Sequence, residues 1–130
     1  MDLNQVTVAA SDMAASIAFY ETLGLKLIVR SHEAYARFEL PKGDATFSLH
    51  LARNGEAEGD VPSSAVIYFE VKDVDKTCEN LMAKGIKFEQ MPTDQSWLWR
   101  EARLADPFGN PLCIYHAGKN RKNPSWRLEG

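Results

Sequence analysis

Along residues 3–9 apolar and polar side chains alternate, with Val6 and Val8 facing one way and Gln5 and Thr7 the other. That two-residue period predicts a half-buried strand. The period then changes. Ser11 or Asp12 offers an N-cap, Met13, Ile17, Tyr20 and Phe19 recur at helical spacing, and Gly24 supplies a stop, so a helix is expected over 13–23. Strands follow over 25–29, 34–40 and 45–52, the last two joined by a turn at Pro41, Lys42, Gly43 and Asp44. In the last strand Phe47, Leu49 and Leu51 share one face, and Thr46, Ser48, His50 and Ala52 the other.

Residues 53–64, RNGEAEGDVPSS, break every periodicity and predict a solvated linker. The pattern then begins again, with a strand over 66–71, a helix capped by Asp73 or Asp75 and running to about Lys84, a stop at Gly85 and a strand over 86–89. A shift of 61 positions lays Val6 on Ile67, Val8 on Phe69, Asp12 on Asp73, Gly24 on Gly85 and Leu25 on Ile86 without a gap. A capping Asp or a terminal Gly is common, but the whole register points to an internal duplication. The expected fold is therefore α+β, two tandem β-α-β-β-β units at about 3–53 and 64–116 within one domain.

After a loop at 91–96, a hairpin is expected from two alternating runs flanking Asp106-Pro107-Phe108-Gly109-Asn110, with strands over 97–105 and Pro111–His116. Leu98, Ala102 and Leu104 fit the apolar face of its first strand, with Arg100 a misfit. Trp97, Trp99, Glu101 and Arg103 fall on the other face, beside Cys113. In the second strand Leu112 and Ile114 share one face, and Cys113 and Tyr115 the other. A face carrying two Trp, an acid, a base, a thiol and a phenol suggests a pocket wall. The tail at 117–130 is basic and contains Trp126, which either pins it to the domain or a partner or stands half exposed.

Composition narrows the classes. The 130 residues are 45% hydrophobic and 25% charged, ordinary for a globular chain. A net charge of −3 gives no reason to expect nucleic acid or an anionic membrane as partner. No apolar run approaches the ~20 residues that cross a bilayer, and MDLNQVTV lacks the features of a secretion signal. Two cysteines, Cys78 and Cys113, lie on different predicted elements, which fits a reducing compartment, and a cytoplasmic location is expected.

The duplicated unit, the segment SDMAASIAFYETLGLKL and the closing RLADPFGNPLCIYH together resemble the vicinal oxygen chelate superfamily. That group includes glyoxalase I, bleomycin-resistance proteins, fosfomycin-resistance enzymes and extradiol dioxygenases. The landmarks are Asp12, Phe19-Tyr20, Leu23-Gly24-Leu25 and the Asp106-Pro107, Gly109-Asn110 loop. The resemblance implies a curved mixed sheet around a cavity, with helices on the outer faces, and a homodimer. It also implies where metal ligands would stand: Gln5, Ser48 (or His50, two along), Val66 and Cys113. The usual His is Gln at the first, the usual His is Val at the third, and the usual Glu is Cys at the last. Val cannot ligate, so the conventional site is broken and no cofactor is expected. A rebuilt site would draw on His50, Glu101 and Cys113, whose N, O and S donors suit zinc. Against it, Cys113 reads as a small buried hydrophobe, while His50 is open between a ligand and a hydrogen-bonded pocket residue. His32 is expected at a surface loop, His116 outside the cavity, and Cys78 buried on a helix.

Two functional classes follow. One is an enzyme, with Glu101 and His50 as acid/base groups, Arg103 as an anion clamp, and Trp97, Trp99, Tyr68 and Tyr115 as apolar walls. A carboxylate between Trp rings would be desolvated, which suits a general base. The competing view makes Glu101 and Arg103 a structural ion pair. The other class is a small-molecule-binding protein, like the bleomycin-resistance branch, with a degenerate metal site and Gln5, Ser48 and Cys113 also lining the site. A third reading is a metal-dependent lyase or dioxygenase with a site rebuilt around His50. Glyoxalase I activity is not expected, and the residues leave the substrate open.

Overall fold

The computed structural model describes residues 1–52 and 61–129. Of the expected linker, 61–64 fall within this range, while 53–60 lie outside the described residues. The chain forms two compact units, Met1–Ala65 with Ala105–Pro111, and Val66–Leu104 with the chain from Leu112.

The first unit runs β1 (Gln5–Ala10), α1 (Met13–Thr22), β2 (Lys26–Ser31), β3 (Tyr35–Glu39) and β4 (Thr46–Leu51). The second runs β5 (Ile67–Glu70), α2 (Val74–Ala83), β6 (Gln90–Asp94), β7 (Arg100–Ala105) and β8 (Pro111–His116), followed by a short 3-10 turn, Gly118–Asn120. Each unit has its own four-stranded mixed sheet, in the order β1-β4-β3-β2 and β5-β8-β7-β6. In both, the first strand lies parallel to the last. The expected tandem β-α-β-β-β architecture is the one observed.

The duplication holds at the level of single hydrogen bonds. Asp12 and Asp73 are the N-caps, with extended backbones (φ −123° and −127°), and each carboxylate accepts from the third residue on, Ala15 N and Lys76 N, at 3.0 Å. Both helices end at a glycine of positive φ, Gly24 at 106° and Gly85 at 95°, a conformation that favours glycine. Leu25 N then returns to Tyr20 O and Ile86 N to Leu81 O.

In the first unit α1 packs on β2, β3 and β4. Met13, Ile17 and Tyr20 are buried along its inner side, while Phe19 is only partly covered. The Tyr20 ring sits 4.5 Å from Phe47 and 5.9 Å from Phe38, centroid to centroid. The Asp106–Asn110 loop belongs to this unit. Tyr20 Oη donates to Asp106, and Asn110 Nδ2 donates to Ala9 O.

Three expectations need correction in the second unit. The strand expected over 86–89 is absent, and β6 instead occupies Gln90–Asp94, where a loop was expected. Pro92 lacks a ladder donor, so it is confined to an edge strand or a bulge. β6 is the edge strand, and its register with β7 shifts between Gln90 and Thr93. The strand expected from 97 begins only at Arg100. Residues 95–99 form the β6–β7 turn, closed by Gln95 N to Trp99 O at 2.8 Å, so Leu98 leaves the apolar face and is 57% exposed.

The misfit Arg100 is also resolved. It shares the parity of Ala102 and Leu104, and its guanidinium grips Asp75 of α2 through two bonds of 2.8 Å while reaching Asp94 at 2.9 Å. The planar fork of Arg matches a carboxylate with two parallel bonds. Trp126 is 53% exposed, the second of its two expected states. His32 is exposed in the β2–β3 turn, and Cys78 is buried on α2. Among the described residues no helix is long and apolar enough to cross a membrane.

Candidate functional site

The face of the second sheet opposite Ala102, Leu104, Leu112 and Ile114 gathers most of the expected site residues. Alternation fixes this parity: Glu101 and Arg103 project from β7 to the side opposite Ala102 and Leu104. On β8, Cys113 and Tyr115 form a buried cluster with Ala117, against which Val66 and Trp99 pack. Tyr68 on β5 pairs directly with Cys113.

The aromatic side chains make a connected panel. The Tyr68 ring stands edge-on to Trp99 (5.9 Å, 86°) and to Tyr115 (5.3 Å, 85°), while Trp99 and Tyr115 tilt together at 5.0 Å and 33°. Edge-on and tilted pairs suit the ring quadrupoles better than a face-to-face stack. The β6–β7 turn carries Trp97, which is tied to this face through its Nε1 bond to Glu101. Tyr68 and Trp97 are 41% and 43% exposed, so the panel keeps accessible aromatic surface.

Its charged group is internally balanced. Glu101 is 1% exposed. One carboxylate oxygen accepts from Arg103 Nη2 at 2.8 Å and the other from Trp97 Nε1 at 2.9 Å. Arg103 also donates to Tyr68 Oη at 3.1 Å and lies 5.4 Å over the Tyr68 ring. Burial opposes its charge, yet the Glu101 bond, aided by Cys113 and Tyr68, holds the guanidinium pKa above its ordinary value. The ion pair considered from the sequence is thus formed, and both Glu101 oxygens are engaged.

The remaining sequence candidates belong to the first sheet. Gln5 Nε2 donates to Ser48 Oγ at 2.8 Å, and Ser48 is fully buried. His50 sits on β4 with Nδ1 3.3 Å from Leu51 O. Sequence reasoning missed Tyr35, whose Oη lies 2.7 Å from Ser48 Oγ, and Arg37, whose Nε donates to that Oη at 2.9 Å. Their signal was present in the alternation of Tyr35, Arg37 and Glu39 with buried Ala36 and Phe38.

The donors at the positions implied by the resemblance do not fit a divalent metal. The Gln5 amide is occupied by Thr46 and Ser48, and Val66 has no side-chain donor. Burial pushes the Cys113 thiol up to about 11, so in the metal-free protein it is held protonated. Among the described residues no group of three or more His, Cys, Asp and Glu side chains could hold a metal ion.

Comparison with known proteins agrees with this architecture. An uncharacterised Bacillus subtilis (strain 168) protein, YraH, is 34% identical over 128 residues, covering 88% of this chain and 98% of its own. A lactoylglutathione lyase of Schizosaccharomyces pombe is 27% identical over 112 residues, covering 70% of this chain and 37% of that protein. A solved glyoxalase/bleomycin resistance protein/dioxygenase from Nocardioides superposes with a TM-score of 0.72 at 25% identity, covering 89% of this chain and 83% of that one. Residues 2–114 match the family described as the Glyoxalase/Bleomycin resistance protein/Dioxygenase superfamily. On that match, spanning both units, the chain belongs to the glyoxalase/bleomycin resistance protein/dioxygenase superfamily.

Proposed function

We propose that this protein binds a small planar, amphipathic molecule on the second-unit panel of Tyr68, Trp97, Trp99 and Tyr115, without a metal at the family's usual positions. One observation carries the reading: both Glu101 oxygens are engaged within this face while the Tyr68 and Trp97 rings remain accessible. Glu101 is neutralised by Arg103 and Trp97, so it sets the positions of the Arg103 guanidinium and the Trp97 ring. Aromatic walls of this kind bind flat ligands at little conformational cost, because each ring has few torsions to freeze. In this role Arg103 offers its remaining N–H groups to a ligand acceptor, while Glu101 is a positioning residue.

The family's range, which includes bleomycin resistance proteins, accommodates such a role. The donor set at Gln5, Val66 and Cys113 favours it over metal-dependent lyase or dioxygenase chemistry. The test is a thermal-shift screen of planar aromatic compounds, cationic and neutral. Ligands should raise the midpoint by an amount that grows with the logarithm of free ligand above its Kd, and the rise should vanish in Trp97→Ala. A diverse panel that leaves the midpoint unmoved would sink the proposal.

A further inference from the structure

A continuous polar chain crosses the first sheet from β1 to β3. Thr46 Oγ1 donates to Gln5 Oε1, and Gln5 Nε2 donates to Ser48 Oγ at 2.8 Å. Ser48 Oγ lies 2.7 Å from Tyr35 Oη, and Arg37 Nε donates to that phenol oxygen at 2.9 Å. Arg37 and Ser48 are direct partners across β3 and β4, so the groups share one face.

Counting hydrogens shows what this chain lacks. Ser48 and Tyr35 bring one hydroxyl hydrogen each, and the bond between them uses only one. If Tyr35 donates, the Ser48 hydrogen is left over; if Ser48 donates, the Tyr35 hydrogen is. Gln5 does not take it, because its amide nitrogen faces Ser48. Arg37 has donors alone. When Ser48 donates, the chain therefore ends in a Tyr35 hydroxyl hydrogen open to an external acceptor, beside a cation.

That cation has no protein countercharge among the described residues. Arg103 pairs with Glu101 and Arg100 with Asp75, but no carboxylate among the described residues pairs with Arg37. Glu39, its neighbour on the same strand face, pairs with Lys26 at 3.8 Å. The two units thus carry the same device, an arginine 5.4 Å over a tyrosine ring and bonded to its phenol, and among the described residues the charge is answered in the second alone. The Tyr35 phenol responds to this setting. Burial opposes its ionisation, but the bonds from Ser48 and Arg37 and the Arg37 charge outweigh burial and hold its pKa below the ordinary value.

We propose that Tyr35, Arg37 and Ser48 form a carboxylate-binding site on the first unit. A carboxylate answers both groups: with Ser48 donating to the phenol oxygen, one carboxylate oxygen accepts the Tyr35 hydroxyl hydrogen, and the other accepts from the outer guanidinium nitrogens. Its planarity suits the guanidinium fork, and its charge answers Arg37. The site rests on the first unit alone, so it can fail while the second-unit reading stands, and the reverse.

The test is a titration of isotope-labelled protein with benzoate, followed by NMR at neutral pH and fixed ionic strength, with inorganic phosphate in parallel. Saturable shifts are expected at the Tyr35, Arg37 and Ser48 amides and at the Arg37 Nε–H. Benzoate affinity should fall about tenfold or more in Arg37→Gln and less in Tyr35→Phe. Arg37→Lys, which keeps the charge and loses the fork, should also bind more weakly than the wild type. It provides the deciding arm if Arg37→Gln does not fold. The proposal is overturned by the absence of saturation, by undiminished affinity in the arginine variants, or by phosphate binding these residues more tightly than benzoate.

Discussion

Tyr20 Oη donates a 2.6 Å hydrogen bond to Asp106 Oδ2, a residue 86 positions further along the chain. The same carboxylate accepts from Phe108 N, Asn110 N and Asn110 Nδ2 at 2.8–2.9 Å. One buried acid therefore shapes its own loop and ties that loop to α1. Burial first, and then the Asp106 charge, push the phenol pKa far above its ordinary value of 10.0.

Tyr20→Phe removes one donor from a buried carboxylate, and a stability loss of about 1–3 kcal/mol is expected in denaturant unfolding. The pH dependence has a definite sign. Above the ordinary phenol value of 10.0 the unfolded Tyr20 ionises and the folded one does not. The native state then holds the extra proton, so stability falls as pH rises. That alkaline loss should be smaller in Tyr20→Phe.

The buried pair of the second unit predicts an asymmetry. Arg103→Met leaves the Glu101 carboxylate buried with Trp97 as its one remaining partner, and breaking a buried pair in this way costs roughly 3–5 kcal/mol. Glu101→Gln leaves Arg103 with partial access to water, so its cost should be smaller, about 1–3 kcal/mol. Equal losses in the two variants would show that the pair is not buried as described.

Much of this was legible in the sequence, for identifiable reasons. The 61-residue shift aligned Asp12 with Asp73 and Gly24 with Gly85 because caps and stops are local chemistry, set by a few residues each. Strict alternation likewise assigned Cys113 and Tyr115 to one face and Leu112 and Ile114 to the other. What failed was placement governed by pairing. The stretch from Gln90 to Asp94 has no alternation and a single good strand former, Thr93, and its edge pairing with β7 comes from the partner strand. Trp97 and Leu98 have strand-like composition yet form a turn. Tyr35 and Arg37 were passed over because their importance depends on Ser48, which meets them only across β3 and β4.

Leu98 carries strain that composition does not reveal. Its φ of 68° places a leucine in the left-handed region, at a 57% exposed position. Asn tolerates that conformation better. Leu98→Asn should therefore gain about 0.5 kcal/mol or more, while Leu98→Val, β-branched at the same φ, should lose a similar or larger amount. Paired thermal unfolding curves would check both signs.

The start of the C-terminal tail is held by a carboxylate. Glu70 Oε2 accepts from Ala117 N at 2.7 Å and Gly118 N at 2.9 Å, while Trp99 Nε1 donates to Asn120 O at 3.2 Å. Burial opposes Glu70 ionisation. The two backbone donors, helped by His116 and Arg121, more than offset it and depress its pKa. For a depressed carboxyl the stabilisation is complete above the unfolded value of 4.5 and is lost as pH falls below it. Hydrogen exchange at the Ala117 and Gly118 amides should accelerate, relative to their intrinsic rates, as pH falls through that window. Glu70→Gln should already show the faster exchange at neutral pH.

The proposed binding of a flat ligand to the second-unit panel needs no metal. Its most direct test is a tryptophan fluorescence titration of Trp126→Phe, which leaves Trp97 and Trp99 as the only indoles, against a ligand found in the thermal-shift screen. The measurement is made with chelator and again with added zinc or nickel. Saturable quenching of equal affinity in both conditions, weakened in Trp97→Phe, is the predicted result. Quenching that requires the added metal and disappears in His50→Ala would contradict the claim and place the chemistry at a rebuilt metal site.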